Sequence, residues 1–126
     1  MKKNVTGIGG LFFRCKNRTA LSKWYQEHFG INTTENRIWK QEKGPAVFSP
    51  FPKDTDYFGK SDQQFMVNLR VNDLETLLAE LERDGITIDS KRQDDAIGKF
   101  AWVYDPEGNK IELWQPNPET DWENLK

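Results

Sequence analysis

The sequence predicts an α+β fold built from two copies of one unit, each a strand, a helix and three further strands. Three observations predict it. The chain repeats itself: Asn17 and Asp73 lie 56 positions apart, and Gly10 with Met66, Phe13 with Leu69, Arg14 with Arg70 and Leu21 with Leu77 share that offset. In each copy an apolar run, residues 9–15 or 65–71, leads into a helix-capping residue, a helical stripe and a stopping Gly. Each helix is then followed by short segments of strand composition separated by turn formers. A strand-plus-helix unit cannot bury its apolar face alone, so a duplicated unit implies two copies completing one core. It also implies a seam between them, and such seams are where pockets form.

The elements follow in chain order. After the strand over 9–15, the short side chain of Asn17 suits the free amides of a first helical turn. Leu21, Trp24, Tyr25 and Phe29 come next at helical spacing as one apolar stripe. Gly30 suits the left-handed position just past a helix. Strands are expected over 37–41 and 46–51, joined through Gly44-Pro45, with a short one near 31–34. The second copy repeats this logic after its strand over 65–71: Asn72 or Asp73 as cap, Leu74, Leu77, Leu78 and Leu81 as stripe, Gly85 as stop. Asn72 with Glu75 resembles a capping box. Strands are then expected over 87–90, 99–104 and 110–115. Between the last two, Asp105-Pro106-Glu107-Gly108-Asn109 is a hairpin signal, because Pro fixes the first turn angle and Gly or Asn accepts positive φ. The expected layout is one domain over 1–126: module one at about 5–52, a polar linker at about 53–63, module two at about 64–116, and a tail over 117–126. The tail is polar apart from Trp122 and Leu125, and is either a short docked helix or a loose end.

Composition narrows the function classes. With 18 basic and 20 acidic residues and a net charge of -2, there is no electrostatic case for nucleic acid or an anionic membrane. No apolar run is long enough for a membrane span. The first residues lead straight into Gly and strand positions without a signal-peptide apolar region. A single Cys15 cannot form an internal disulfide, which points to a reducing, cytoplasmic setting. The apolar share is only 36%, yet it includes five Trp, three Tyr and eight Phe, so a core or pocket must be built largely of aromatic rings.

Strand alternation sorts these rings into faces. Leu11, Phe13, Cys15, Val67, Leu69, Val71, Ile111 and Leu113 are expected to meet the helices. The opposite face then receives Phe12, Met66, Trp102, Tyr104 and Trp114, with the polar groups Arg14, Asn68, Arg70 and Glu112. Trp39 joins them by analogy with Trp102. An aromatic wall with a few fixed polar groups is what small-molecule pockets look like, and two arginines at repeat-equivalent positions suit a carboxylate or phosphate. The alternative is that the rings fill a core and the arginines reach solvent. His28, near a helix end, reads as a boundary residue rather than a catalytic base, and Cys15 as an inert apolar one. Gly7, Gly9 and Gly10 precede a strand, not a helix, so they form no phosphate loop.

The order strand, helix, three strands, twice over, resembles the vicinal-oxygen-chelate superfamily of glyoxalase I, bleomycin-resistance proteins and extradiol dioxygenases. Lys23-Trp24-Tyr25-Gln26-Glu27-His28-Phe29-Gly30 is similar to its aromatic pair before a helix-ending Gly. Asp105 through Trp114 is similar to its closing hairpin. The resemblance implies two βαβββ modules forming a curved mixed sheet around a pocket, helices on the outer face. It also implies metal ligands on the first and last strand of each module. Those positions fall on Gly10, Met66, Glu112 and, near the end of module one, Phe48 or Ser49, so only Glu112 carries a usable donor. As the one match, Glu112 is either a remnant catalytic acid or base, or a carboxylate paired with an arginine or Lys110. The expectation is a glyoxalase- or bleomycin-resistance-like homodimer without cofactor, binding a small aromatic or anionic molecule between its modules. The alternative is a divalent-metal-dependent lyase or dioxygenase, lactoylglutathione-lyase-like or dioxygenase-like, with Glu112 as a ligand.

Overall fold

The computed structural model describes residues 4–31 and 37–125. Module two is a complete strand, helix and three strands. β1 (Val67–Arg70) leads to α2 (Leu74–Arg83), then β2 (Ile88–Asp95), β3 (Gly98–Tyr104) and β4 (Lys110–Pro116). The sheet runs β1-β4-β3-β2, with β1 parallel to β4 and the other pairs antiparallel, so it is mixed and open. Module one contributes α1 (Arg18–Phe29), and the tail contributes a short 3-10 turn, Trp122–Asn124. The α+β class is as expected.

Capping chemistry sets both helices. The Asn17 side chain accepts from the amide of Ala20, and Gly30 closes α1 at φ 65. Asp73, not Asn72, caps α2, accepting from the amide and hydroxyl of Thr76. Hydrogen bonds to the amide (the first cause) and to the hydroxyl hold this carboxylate below its usual range. The two helices cover one face of the sheet. Leu21 and Tyr25 of α1 and Leu74, Leu78 and Leu81 of α2 pack with Leu69, Ala101, Val103, Ile111 and Leu113 as one core. A second cluster, Phe100, Trp102 and Trp114, lies on the other face, with Tyr57, Met66 and Trp122 packed on it. The predicted alternation of β1, β3 and β4 is therefore realised strand by strand. The tail docks, with Trp122 edge-on to Trp114 at 5.7 Å.

The hairpin after β3 holds α1 in place. Asp105, 5% exposed, accepts from the Tyr25 hydroxyl at 2.8 Å and from the amides of Glu107 and Asn109. Burial first, then the Asp105 charge, drives the Tyr25 hydroxyl far above its usual value. The Glu107 carboxylate accepts from the amides of Lys16 and Asn17, closing the N-terminus of α1 across 90 residues of chain.

Module one departs from expectation. The segments 9–15, 37–41 and 46–51 form no strand, and residues 32–34 of the short strand expected near 31–34 lie outside the described residues. A strand needs a ladder partner, and these segments pair with neither open edge of the sheet, β1 or β2. Arg37 stands at φ 55, outside the strand region of backbone space. The turn at 42–45 is held by a side chain instead, since the Arg70 guanidinium donates to the carbonyls of Glu42 and Pro45.

Candidate functional site: the aromatic face of the sheet

Register places the predicted site residues of module two in rows across the sheet. Asn68 pairs with Glu112, and Glu112 with Trp102; Arg70 pairs with Trp114, and Trp114 with Phe100; Tyr104 pairs with Lys110. Because facing residues of neighbouring strands share a side, Asn68, Arg70, Trp102, Tyr104, Glu112 and Trp114 occupy the face away from the helices. Met66, just before β1, packs against that aromatic cluster.

The two tryptophans are served differently. Trp114 stacks on Phe100 at 6.1 Å and donates its indole N–H to the carbonyl of Ile97. Trp102 is 1% exposed, and its indole N–H makes no well-formed hydrogen bond, the Tyr57 hydroxyl being the acceptor it faces. Two ammonium groups flank its ring, Lys91 Nζ at 5.8 Å and Lys110 Nζ at 5.7 Å from the centroid. Lys91 gets there through a register shift in β2 between Ile88 and Arg92, the kind of bulge that re-aims a side chain. Asp89 shapes that bulge, accepting from the Lys91 amide and the Tyr104 hydroxyl. These bonds, the Lys91 amide first, hold its carboxyl below the usual range, while partial burial and then Asp89 raise the Tyr104 hydroxyl.

Over this face lies Tyr57, from the segment expected to be only a linker. Its ring is edge-on to Trp102 at 6.1 Å and stacked on Phe51 at 5.5 Å. Its hydroxyl donates to Glu112 Oε1 at 3.0 Å. Lys110 Nζ sits 4.9 Å from the Tyr57 ring and donates to the Tyr57 carbonyl at 2.8 Å. Burial first, then the charge of Glu112, pushes the Tyr57 hydroxyl up to about 12. Glu112 thus has a phenol for partner, neither an arginine nor Lys110. The signal in the sequence was Tyr57-Phe58, an aromatic pair inside an otherwise polar segment; nothing there indicated where it lands.

The module-one candidates lie elsewhere. Phe12 and Arg14 border a separate cleft of about 540 Å³ between the modules, with Phe13, Phe65, Val67 and Lys110. Phe12 is 91% exposed and Trp39 is also exposed, so neither forms part of the aromatic cluster. Arg14 and Arg70 do not form a clamp: Arg70 is engaged by carbonyls of 42–45, while Arg14 borders the cleft. His28 packs against Trp24 and lies 3.4 Å from Asp84, at the helix ends. Cys15 packs against the helix-side core.

The donor set does not fit a divalent metal of the family type. Met66 packs against the aromatic cluster, Gly10 has no side chain, and Glu112 is engaged by Tyr57. Among the described residues no three His, Cys, Asp or Glu side chains converge, whereas such a centre needs three or four ligands. What the face offers is an aromatic wall, one carboxylate, two ammonium groups and a buried N–H donor.

Comparison with known proteins agrees with this architecture. The structure is similar to TnmS3, an antibiotic-binding protein from Streptomyces sp. CB03234, at a TM-score of 0.61 and 20% identity over 92% of this chain and all of that one. It is also similar to a glyoxalase/bleomycin resistance protein/dioxygenase superfamily member from Sphaerobacter thermophilus, at a TM-score of 0.50 and 12% identity over 80% of this chain and 90% of that one. At these identities the likeness is one of fold. No curated protein matches the chain. The sequence model of the family itself covers residues 7–113, from before α1 through β3 and into β4, and the chain therefore belongs to the Glyoxalase/Bleomycin resistance protein/Dioxygenase superfamily.

Proposed function

We propose that this chain is a metal-free binding protein that holds a small aromatic or anionic molecule on the aromatic side of its sheet. The observation that carries the reading is Trp102: a buried indole flanked by Lys91 and Lys110, with Glu112 in the neighbouring register position and the Tyr57 hydroxyl as the one group its N–H faces. The likeness in fold to an antibiotic-binding protein supports it. Thermal-shift screening against a panel of aromatic acids and uncharged aromatics tests it. At least one compound is expected to raise the Tm of the wild-type chain, and the gain to vanish in Trp102→Ala. A panel that leaves Tm unchanged overturns the reading.

A second reading rests on Glu112, which stands at a family ligand position: a divalent-metal-dependent lyase or dioxygenase. It requires about one metal per chain in natively purified protein, lost in Glu112→Gln. The donor set above argues against it. We also propose that the protein is a cytoplasmic homodimer. Val5, Ile8, Leu11, Phe12, Val47 and Phe48 of module one are exposed, and an apolar surface of that kind marks an association site. A second copy, which carries the same unpaired segments, is the occupant. Light scattering showing only monomer at micromolar concentration would exclude it.

A further inference from the structure

Tyr57 is held as a bound ligand is held. One ring stacks on it, the Trp102 ring meets it at 83°, an ammonium lies over its face, and its hydroxyl donates to a carboxylate. Yet it is half-buried and comes from a segment of turns outside the sheet. Beneath it the fully buried Trp102 indole N–H makes no well-formed hydrogen bond; the acceptor it faces is the Tyr57 hydroxyl itself, which it helps to hold. A buried donor with a poorly aligned acceptor keeps part of its desolvation cost, which a better-placed ligand oxygen removes.

We propose that Tyr57 is a displaceable occupant of the ligand seat, and that the class of molecule competing for it is an aromatic ring bearing a hydroxyl, a phenol. The inference rests on the reading of this face as a ligand site, and narrows it. The phenol ring replaces the Tyr57 ring between Phe51 and Trp102, and its hydroxyl donates to Glu112. The same oxygen, or a second substituent oxygen, accepts from Trp102 Nε1. Lys110 and Lys91 remain over the rings and favour electron-rich ones. The segment carrying Tyr57 swings off when the seat is taken, so occupancy and the position of residues 53–63 are coupled.

The test uses the full chain with 4-methylphenol, the side chain of tyrosine as a free molecule, and toluene, the same shape without the hydroxyl. Binding is read by tryptophan fluorescence and by the indole N–H resonance of Trp102. Tyr57→Ala is expected to bind 4-methylphenol at least about ten-fold more tightly than the wild type does, because the internal competitor is gone. The same variant is expected to prefer 4-methylphenol over toluene by about ten-fold, and to lose that preference when Glu112→Gln is added, as a hydrogen bond to a charged group requires. Equal binding of the two probes by Tyr57→Ala overturns the phenol assignment and leaves the aromatic site standing. Binding of neither probe overturns both. Should Tyr57→Ala fail to fold, Tyr57→Phe keeps the ring and removes only the tether to Glu112. It is expected to bind 4-methylphenol more tightly than wild type, and no difference overturns the proposal.

Discussion

In module two, the strand Val67–Arg70 is paired along its length with β4, and Phe100, Trp102, Val103, Ile111, Leu113 and Trp114 of β3 and β4 are closed off from water. In module one, the repeat-equivalent stretch around Phe12 pairs with nothing among the described residues, and Phe12 and Phe48 are 91% and 83% exposed. The two regions share a residue pattern. They differ in what lies next to them: β1 finds the edge of β4, whereas the equivalent edge in module one is missing. The comparison teaches that a strand pattern is a request for a partner, and that pairing decides whether it is met. The helix of module one, α1, is held by side chains of the module-two hairpin.

The difference can be broken or sharpened by substitution. The largest effect is expected for Gly98→Ala. A Cβ there would lie 2.2 Å from the Gln115 carbonyl oxygen and 2.7 Å from Trp114 Nε1, at φ 142. Backbone that cannot give should cost more than about 3 kcal/mol in urea unfolding. In module one, Gly7→Ala meets nothing within 4 Å and should leave stability unchanged. Next comes Leu113→Ala, which opens the helix-side core and should cost about 2–5 kcal/mol. Phe12→Ala should stay within about 0.5 kcal/mol for the monomer and instead weaken self-association. Equal losses for these two would mean that module one is as tightly packed as module two.

Tyr25→Phe removes the hydroxyl that satisfies buried Asp105 and should cost about 1–3 kcal/mol, loosening α1 before the sheet. Hydrogen exchange in α1 reads this directly. At alkaline pH, Tyr25 and Tyr57 ionise later in the folded than in the unfolded chain. Their contribution is therefore intact below their ordinary value of 10 and is lost as pH rises, the Tyr57 part through about 12. A denaturation curve that holds flat from pH 10 to 12 would contradict this. The smallest effect is at the acid end. The amides of Asn17 and Lys16 hold the Glu107 carboxyl below its ordinary 4.5. Its support of α1 is present above that value and fades as pH falls through the lowered one. Glu107→Gln should flatten that part of the acid limb.

The legible part of the fold was local. Asn17 and Asp73 announce helix starts because a short acceptor beside free amides is a property of a few consecutive residues. Asp105 through Asn109 announces a turn for the same reason, and period-two alternation assigned Leu69, Ile111 and Leu113 to one face and Trp102, Glu112 and Trp114 to the other before any partner was known. The site was half legible: parity found its wall but not its lid.

By itself, then, the sequence determined the α+β class, both helices, the three-strand run of module two and the orientation of its aromatic side chains, since each depends on backbone preference and spacing within a few residues. Only the tertiary structure decided which strands found ladders, that Tyr57 rather than an arginine faces Glu112 across 55 residues, that a shift in β2 turns Lys91 toward Trp102, and that Arg70 grips the carbonyls of Glu42 and Pro45. Those pairings join segments far apart in the chain. They are chosen by the combined fit of burial, charge and hydrogen bonding, which no local pattern encodes.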